Sequence, residues 1–138
     1  MSNPQFLLTT KSTWLAIIQL LRWNKPTGRL ILMIPALWAV FLASRDFPPP
    51  SLILIIILGS LSTSSAGCVI NYLWDRNIDP QVKRTKNRPL ASRTLSIKVG
   101  IVTAFISLTC ALVLSLYLNT LSFWLCILAV PFIVCYPL

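Results

Sequence analysis

With 56% hydrophobic and only 11% charged side chains in 138 residues, and a mean hydropathy of +0.77, the chain lies outside the composition of soluble domains. Four uncharged runs approach the roughly 20 residues that a bilayer requires, so the chain reads as an integral membrane protein. The net charge of +9 could suit nucleic acid, but the cations flank apolar runs instead of interleaving with exposed aromatic residues. That pattern argues against nucleic acid and for lipid and phosphate. Cys68, Cys110, Cys126 and Cys135 lie in apolar segments, with no CxxC and no histidine, so they read as small buried hydrophobes and indicate neither zinc nor a disulfide framework.

The first twelve residues form a polar tail without the charged start, apolar centre and small-residue cleavage site of a secretory signal, and no cleavage is expected. Residues 13–24 predict an interfacial helix with Trp14, Ile17, Ile18 and Leu21 on one side, and Trp14 and Trp23 at headgroup level. A first span follows over about 26–44, kinked at Pro35. The Pro-rich turn Ser44 to Ser51 leads into a second span, 51–74, whose 24 residues carry no charge. Its first half is bulky and aliphatic, and its second half is mostly Gly, Ser, Thr and Ala. The stripe Thr63, Gly67, Asn71, Asp75 is read in two ways, as a close-packing face or as the wall of a cavity. A third span is expected at about 98–118 and a fourth at 121–138, with Pro131 inside it. The predicted fold is thus an all-α, polytopic membrane bundle of four transmembrane helices. Four cations precede the first span and seven lie between Arg76 and Lys98, against one in the first turn and none in the second. The positive-inside rule therefore places the N-terminus and the basic loop in the cytoplasm.

That loop and the helix end before it, Asn71 to Arg93 (NYLWDRNIDPQVKRTKNRPLASR), hold two of the three acidic residues of the whole chain, Asp75 and Asp79. Asn71, Asp75 and Asp79 are four apart, a step of about 40° and about 6 Å on a helix, which places them on one face. Pro80 should end the helix at Asp79 and bring the carboxylates to a water-facing mouth. Hard oxygen ligands suit Mg²⁺ shared with a substrate's phosphates, and nearby Lys and Arg can hold the remaining phosphate oxygens, so the expected ligand is a diphosphate. The plainer account is that the basic loop is a topology signal and that each Asp pairs with an arginine.

Ala66 to Asn71, Trp74 to Asp79 and Lys83 to Leu90 together resemble the first aspartate-rich motif of the UbiA-type aromatic prenyltransferases. The segment Leu21 to Gly28, with Pro35 and Trp38, is similar to that family's first helix. The nearest branch is the one that acts on 4-hydroxybenzoate. The resemblance implies a helical fold around a central cavity in a bacterial inner or plasma membrane. It also implies a polyprenyl diphosphate ionised with Mg²⁺, and transfer of the prenyl group to a ring carbon of 4-hydroxybenzoate in quinone synthesis. On the residues that match, Asn71, Asp75 and Asp79 would be metal ligands, with Asp75 and Asp79 catalytic. Lys83, Arg84 and Arg88 would neutralise the diphosphate, and Arg22, Lys25 and Arg29 are candidates to meet the aromatic carboxylate.

Two departures accompany the resemblance. Tyr72 stands where the family pattern N-D-x-x-D-x-x-x-D has its first Asp. The chain also matches the N-terminal half of the family pattern, without a second aspartate-rich motif, so it is expected not to catalyse the transfer alone and to self-associate through exposed helix faces. The rival readings are a non-catalytic membrane fragment and a small four-span transporter, and the second is a poor fit because the apolar runs hold no ionisable residue.

Overall fold

The computed structural model describes residues 13–136, so the polar tail and the last residues of the expected fourth span lie outside it. Among the described residues every regular element is helical. Helix α1 covers residues 13–20, α2 Thr27–Ser44, α3 Pro50–Trp74, α4 Ile97–Ser115 and α5 Thr120–Cys135.

The boundaries follow from local chemistry. Helix α1 stops four residues short of the predicted end because Arg22 takes a left-handed conformation, φ 54°, and Pro26 disfavours helix at Lys25. Pro50 occupies the first turn of α3, where its missing N–H costs no hydrogen bond. The Ser96 hydroxyl caps α4 by accepting from the Val99 N–H at 3.4 Å, and the Asn119 side chain caps α5 by accepting from Ser122 N–H at 2.8 Å.

Three helices, α2, α3 and α4, are long and apolar enough to cross a membrane, and α5 is a shorter apolar helix of 16 residues. At 1.5 Å per residue α5 reaches about 24 Å against a hydrocarbon core of about 30 Å. The four apolar helices expected from the sequence are thus present among the described residues, three of them at spanning length and the fourth, α5, described over Thr120–Cys135.

Helix α3 is the centre of the bundle. Helix α4 packs along it most extensively and α2 next, while α5 meets α3 and α4 at few points. Gly67 of α3 lies against Ile133, and the Trp74 indole N–H donates to the Val134 carbonyl at 3.0 Å, so the end of α5 is tied to the end of α3. One core cluster joins Ala16 and Leu20 of α1, Val69, Ile70 and Tyr72 of α3, Leu90 and Leu95 of the loop, and Ala104 of α4. The face of α1 that is buried is therefore centred on Ala16 and Leu20, with Ile17 and Leu21 beside it, while Trp14 and Ile18 stay exposed. This cluster also sets the N-terminal helix and the basic loop at the same end of the bundle.

Elsewhere the outer faces of α2, α4 and α5 expose large apolar side chains, as helices facing lipid must. The cysteines follow this arrangement and correct the expectation of burial: Cys110, Cys126 and Cys135 are exposed and only Cys68 is half-buried.

Of the glycines, Gly100 of α4 has the least room for a side chain: a Cβ there would sit 2.9 Å from Leu73 Cδ2 of α3 and 3.3 Å from Leu90 Cδ1 of the loop. Gly100→Ala should change thermal stability little, since a gain of about 1 kcal/mol in helix propensity offsets a shift of two flexible leucine ends. Gly100→Ile has no such offset and should cost about 1–3 kcal/mol. Thermal melts of the two variants in one detergent check the difference.

Candidate functional site

The site is built at the end of α3. The α-helix closes at Trp74 and the chain tightens into two 3₁₀ turns, Asp75–Asn77 and Asp79–Gln81. Asn71 and Asp75 keep the four-residue helical spacing. At three residues per turn, Asp79 is carried away from the line they share. The expectation of three ligands on one water-facing face is therefore corrected: Asp79 is buried, 5% exposed, and turned into the loop.

What Asp79 meets there is Arg88. One guanidinium nitrogen, Nη1, donates to both carboxylate oxygens, at 3.0 Å to Oδ1 and 2.9 Å to Oδ2. The same guanidinium lies over the buried Tyr72 ring, 4.5 Å from its centroid. Thr85 completes the knot, its buried hydroxyl donating to the Asp79 backbone carbonyl at 2.9 Å. Neither Tyr72 nor Thr85 was expected to contribute. The sequence marks Tyr72 only as a departure from the family pattern, and Thr85 carries no signal within its run of cations.

The side chains of Asn71 and Asp75, both half-buried, make no hydrogen bond or ion pair among the described residues. They are unpartnered hard oxygen donors at the mouth of a membrane helix, a donor set that fits Mg²⁺ supplemented by water and phosphate oxygens. No group of three or more His, Cys, Asp or Glu side chains occurs among the described residues, so any cation here needs ligands beyond the protein carboxylates. Lys83 and Arg84 extend into solvent without ion pairs among the described residues, and only Arg88 of the three expected diphosphate ligands is brought to a carboxylate.

The other three cations separate as well. Arg22 is half-buried and Lys25 exposed, whereas Arg29 is only 8% exposed. Its Nη2 donates to the Leu21 carbonyl, its guanidinium lies 4.9 Å from the Trp23 ring centroid, and its Nε is buried without a partner. No acidic side chain compensates it among the described residues.

Farther along the bundle, α2, α3, α4 and α5 line a partly open cavity of about 780 Å³. Its wall is apolar, with Leu32, Ile56, Leu108 and Val130 prominent, and Gly59, Ser60 and Thr63 supply its small face. The two readings of the small-residue stripe thus divide along the helix, Thr63 lining the cavity and Gly67 packing against Ile133, whose Cγ2 would lie 3.8 Å from a Cβ at that position.

Comparison with known proteins identifies relatives of the chain by sequence. A profile of the UbiA prenyltransferase family matches residues 32–138. The chain is 64% identical over 124 residues to a 4-hydroxybenzoate solanesyltransferase of Synechocystis sp., covering 90% of this chain and 42% of the relative. It is 42% identical over 128 residues to a 4-hydroxybenzoate octaprenyltransferase of Actinobacillus pleuropneumoniae serotype 3, covering 93% and 44%. A third relative, the 4-hydroxybenzoate octaprenyltransferase of Haemophilus ducreyi, is 44% identical over 120 residues, covering 87% and 43%. The chain thus spans somewhat under half the length of the curated relatives it matches. No solved structure matches it significantly. A helical membrane bundle with open oxygen donors and a cationic loop at the end of its central helix, matched by the family profile over most of its length, belongs to the UbiA prenyltransferase family.

Proposed function

We propose that this chain carries the diphosphate-binding side of an Mg²⁺-dependent transfer of a polyprenyl group from polyprenyl diphosphate to 4-hydroxybenzoate, in quinone synthesis. The observation that carries the reading is the pair of oxygens on Asn71 and Asp75 without partners among the described residues, set beside a basic loop at one end of a bundle whose helices also line an apolar cavity. The names of the relatives supply the aromatic acceptor and the polyprenyl donor.

In this reading Asn71 and Asp75 would hold the cation, with Asp79 as a third ligand, and a cation held there would supply charge stabilisation to the leaving diphosphate. Arg88, Lys83 and Arg84 take the remaining phosphate oxygens as the allylic C–O bond breaks and its electron pair leaves with the diphosphate. The prenyl chain lies in the apolar cavity, where the absence of water protects the allylic cation. A ring carbon of 4-hydroxybenzoate then forms the new C–C bond, and the proton on that carbon is lost. Of the three candidates for the aromatic carboxylate, Arg29 is favoured over Arg22 and Lys25, because a buried guanidinium without a counter-ion is matched by a bound anion.

The N-terminus and basic loop are placed on the cytoplasmic side of a bacterial inner or plasma membrane, from the distribution of cations. The outward apolar faces meet lipid, and a second copy of the chain is the other partner they suit.

The test joins this chain to the remaining part of the Synechocystis relative and assays prenylated 4-hydroxybenzoate with and without Mg²⁺. Metal-dependent product supports the assignment, and none in a folded chimera overturns it. The cavity has its own check. Thr63→Trp should lower turnover of long prenyl donors about tenfold while sparing short ones, since an indole fills space only a long chain needs. An equal loss at every chain length, with a lower Tm, would assign Thr63 to helix packing.

A further inference from the structure

Arg88 makes two contacts that conflict with the work expected of its neighbours. It neutralises Asp79, whose carboxylate side chain is 7% exposed, through a single nitrogen. It also lies across the Tyr72 ring, a contact that needs no change in Asp79 to persist. The rest of the guanidinium fork, Nε and Nη2, makes no hydrogen bond among the described residues, and the side chain retains 21% exposure. A guanidinium bound by one nitrogen and open at the others has room for a second, better-matched anion, and a phosphate oxygen pair fits that fork bidentately. Asp79, meanwhile, is only 7% exposed beneath this ion pair, so a hydrated cation gains access to its carboxylate only when Arg88 moves aside.

We propose that Arg88 is an exchangeable lock on Asp79: it holds the carboxylate until a diphosphate takes the guanidinium, and only then does Asp79 become available to the divalent cation. Tyr72 is the positioning residue of this exchange. Its ring keeps the guanidinium at one height above the helix end, so that the step from carboxylate to phosphate is a pivot and not a search. Asn71 and Asp75 form the standing part of the site, and Asp79 is the part added by substrate. The idea rests on the assignment of a diphosphate and a divalent cation to this site, and it adds the order in which they become tightly bound. Two ligands coupled through one shared group must strengthen each other by the same factor, and a coupling of about tenfold is ordinary for such linkage.

The test measures Mn²⁺ affinity of the protein in lipid nanodiscs by electron paramagnetic resonance, without and with inorganic diphosphate. Arg88→Gln removes the lock and should tighten Mn²⁺ binding about tenfold in the absence of diphosphate. Lys86→Gln removes an equal charge from the same loop without touching Asp79 and should shift it less than about twofold, separating the exchange from general electrostatics. Asp79→Asn should leave affinity without diphosphate within about twofold of the parent and weaken it about tenfold with diphosphate present.

Equal tightening in Arg88→Gln and Lys86→Gln, or equal weakening of Asp79→Asn in both conditions, overturns the exchange while leaving the metal site standing. If the parent protein binds no Mn²⁺ in either condition, the metal assignment falls and the exchange with it. The Asp79→Asn comparison stands without Arg88→Gln, should that variant not fold. Tyr72→Phe should behave as the parent, and Tyr72→Leu should lose part of the difference between the two conditions.

Discussion

Asp75→Ala should lower turnover in the chimeric transferase by about a hundredfold or more with almost no effect on folding. The magnitude follows from the several kcal/mol of charge stabilisation that a bound divalent cation supplies, each 1.4 kcal/mol being a factor of ten in rate. The neutrality toward folding follows from the structure: the Asp75 carboxylate is half-buried and makes no hydrogen bond or ion pair among the described residues, so its removal breaks nothing. Substitutions of that kind stay within about 0.5 kcal/mol. Asp79→Ala contrasts with it. There the loss of the carboxylate leaves Arg88 without its counter-ion in a partly enclosed place, and about 2 kcal/mol of stability should go with the activity. Product formation and thermal melts on the two variants give the comparison. A folded Asp75→Ala protein with parental turnover would remove the central assignment.

The second large effect belongs to Arg29. Arg29→Ala should raise the KM for 4-hydroxybenzoate by about tenfold to a hundredfold, the value of a charge-assisted hydrogen bond, while the KM for the prenyl diphosphate stays within about twofold. Arg29→Lys should recover little. Its ammonium would keep the charge but lack the planar fork that lies against Trp23 while Nη2 reaches the Leu21 carbonyl. Stability should fall by about 1 kcal/mol in both variants through loss of that backbone contact. Parallel rises in both KM values would instead make Arg29 a general support of the helix end. A structural anchor at the membrane surface would leave both constants unchanged.

The framework of the fold was legible in the residues. An uncharged run from Ser51 to Trp74 in a bilayer has only a helix open to it, and the apolar runs after Lys98 and after Asn119-Thr120 mark α4 and α5 in the same way. The family motif was equally plain. Three features were not. The inward turn of Asp79 depends on a local change from α to 3₁₀ winding and on a partner nine residues away, and four-residue spacing encodes neither. The burial of Arg29 depends on the position of the chain around Leu21 and Trp23, which a reading of α2 alone cannot supply. The end of α1 was set by the left-handed backbone at Arg22, a conformation that arginine sequence does not signal.

If the prenyl donor occupies the apolar cavity among α2, α3, α4 and α5, as proposed above, a kinetic consequence follows. Each CH₂ of a prenyl chain favours hydrocarbon over water by about 0.8 kcal/mol, so a donor of many isoprene units is present in water at negligible concentration. A cavity walled by Leu32, Ile56, Leu108 and Val130 within the membrane-spanning helices is then filled from the bilayer and not from the bulk phase. The quantity that governs occupancy is the mole fraction of donor among the lipids. Adding empty vesicles at fixed total donor dilutes the substrate as effectively as adding buffer dilutes a soluble one, and apparent affinities for the donor become comparable only between preparations matched in lipid content.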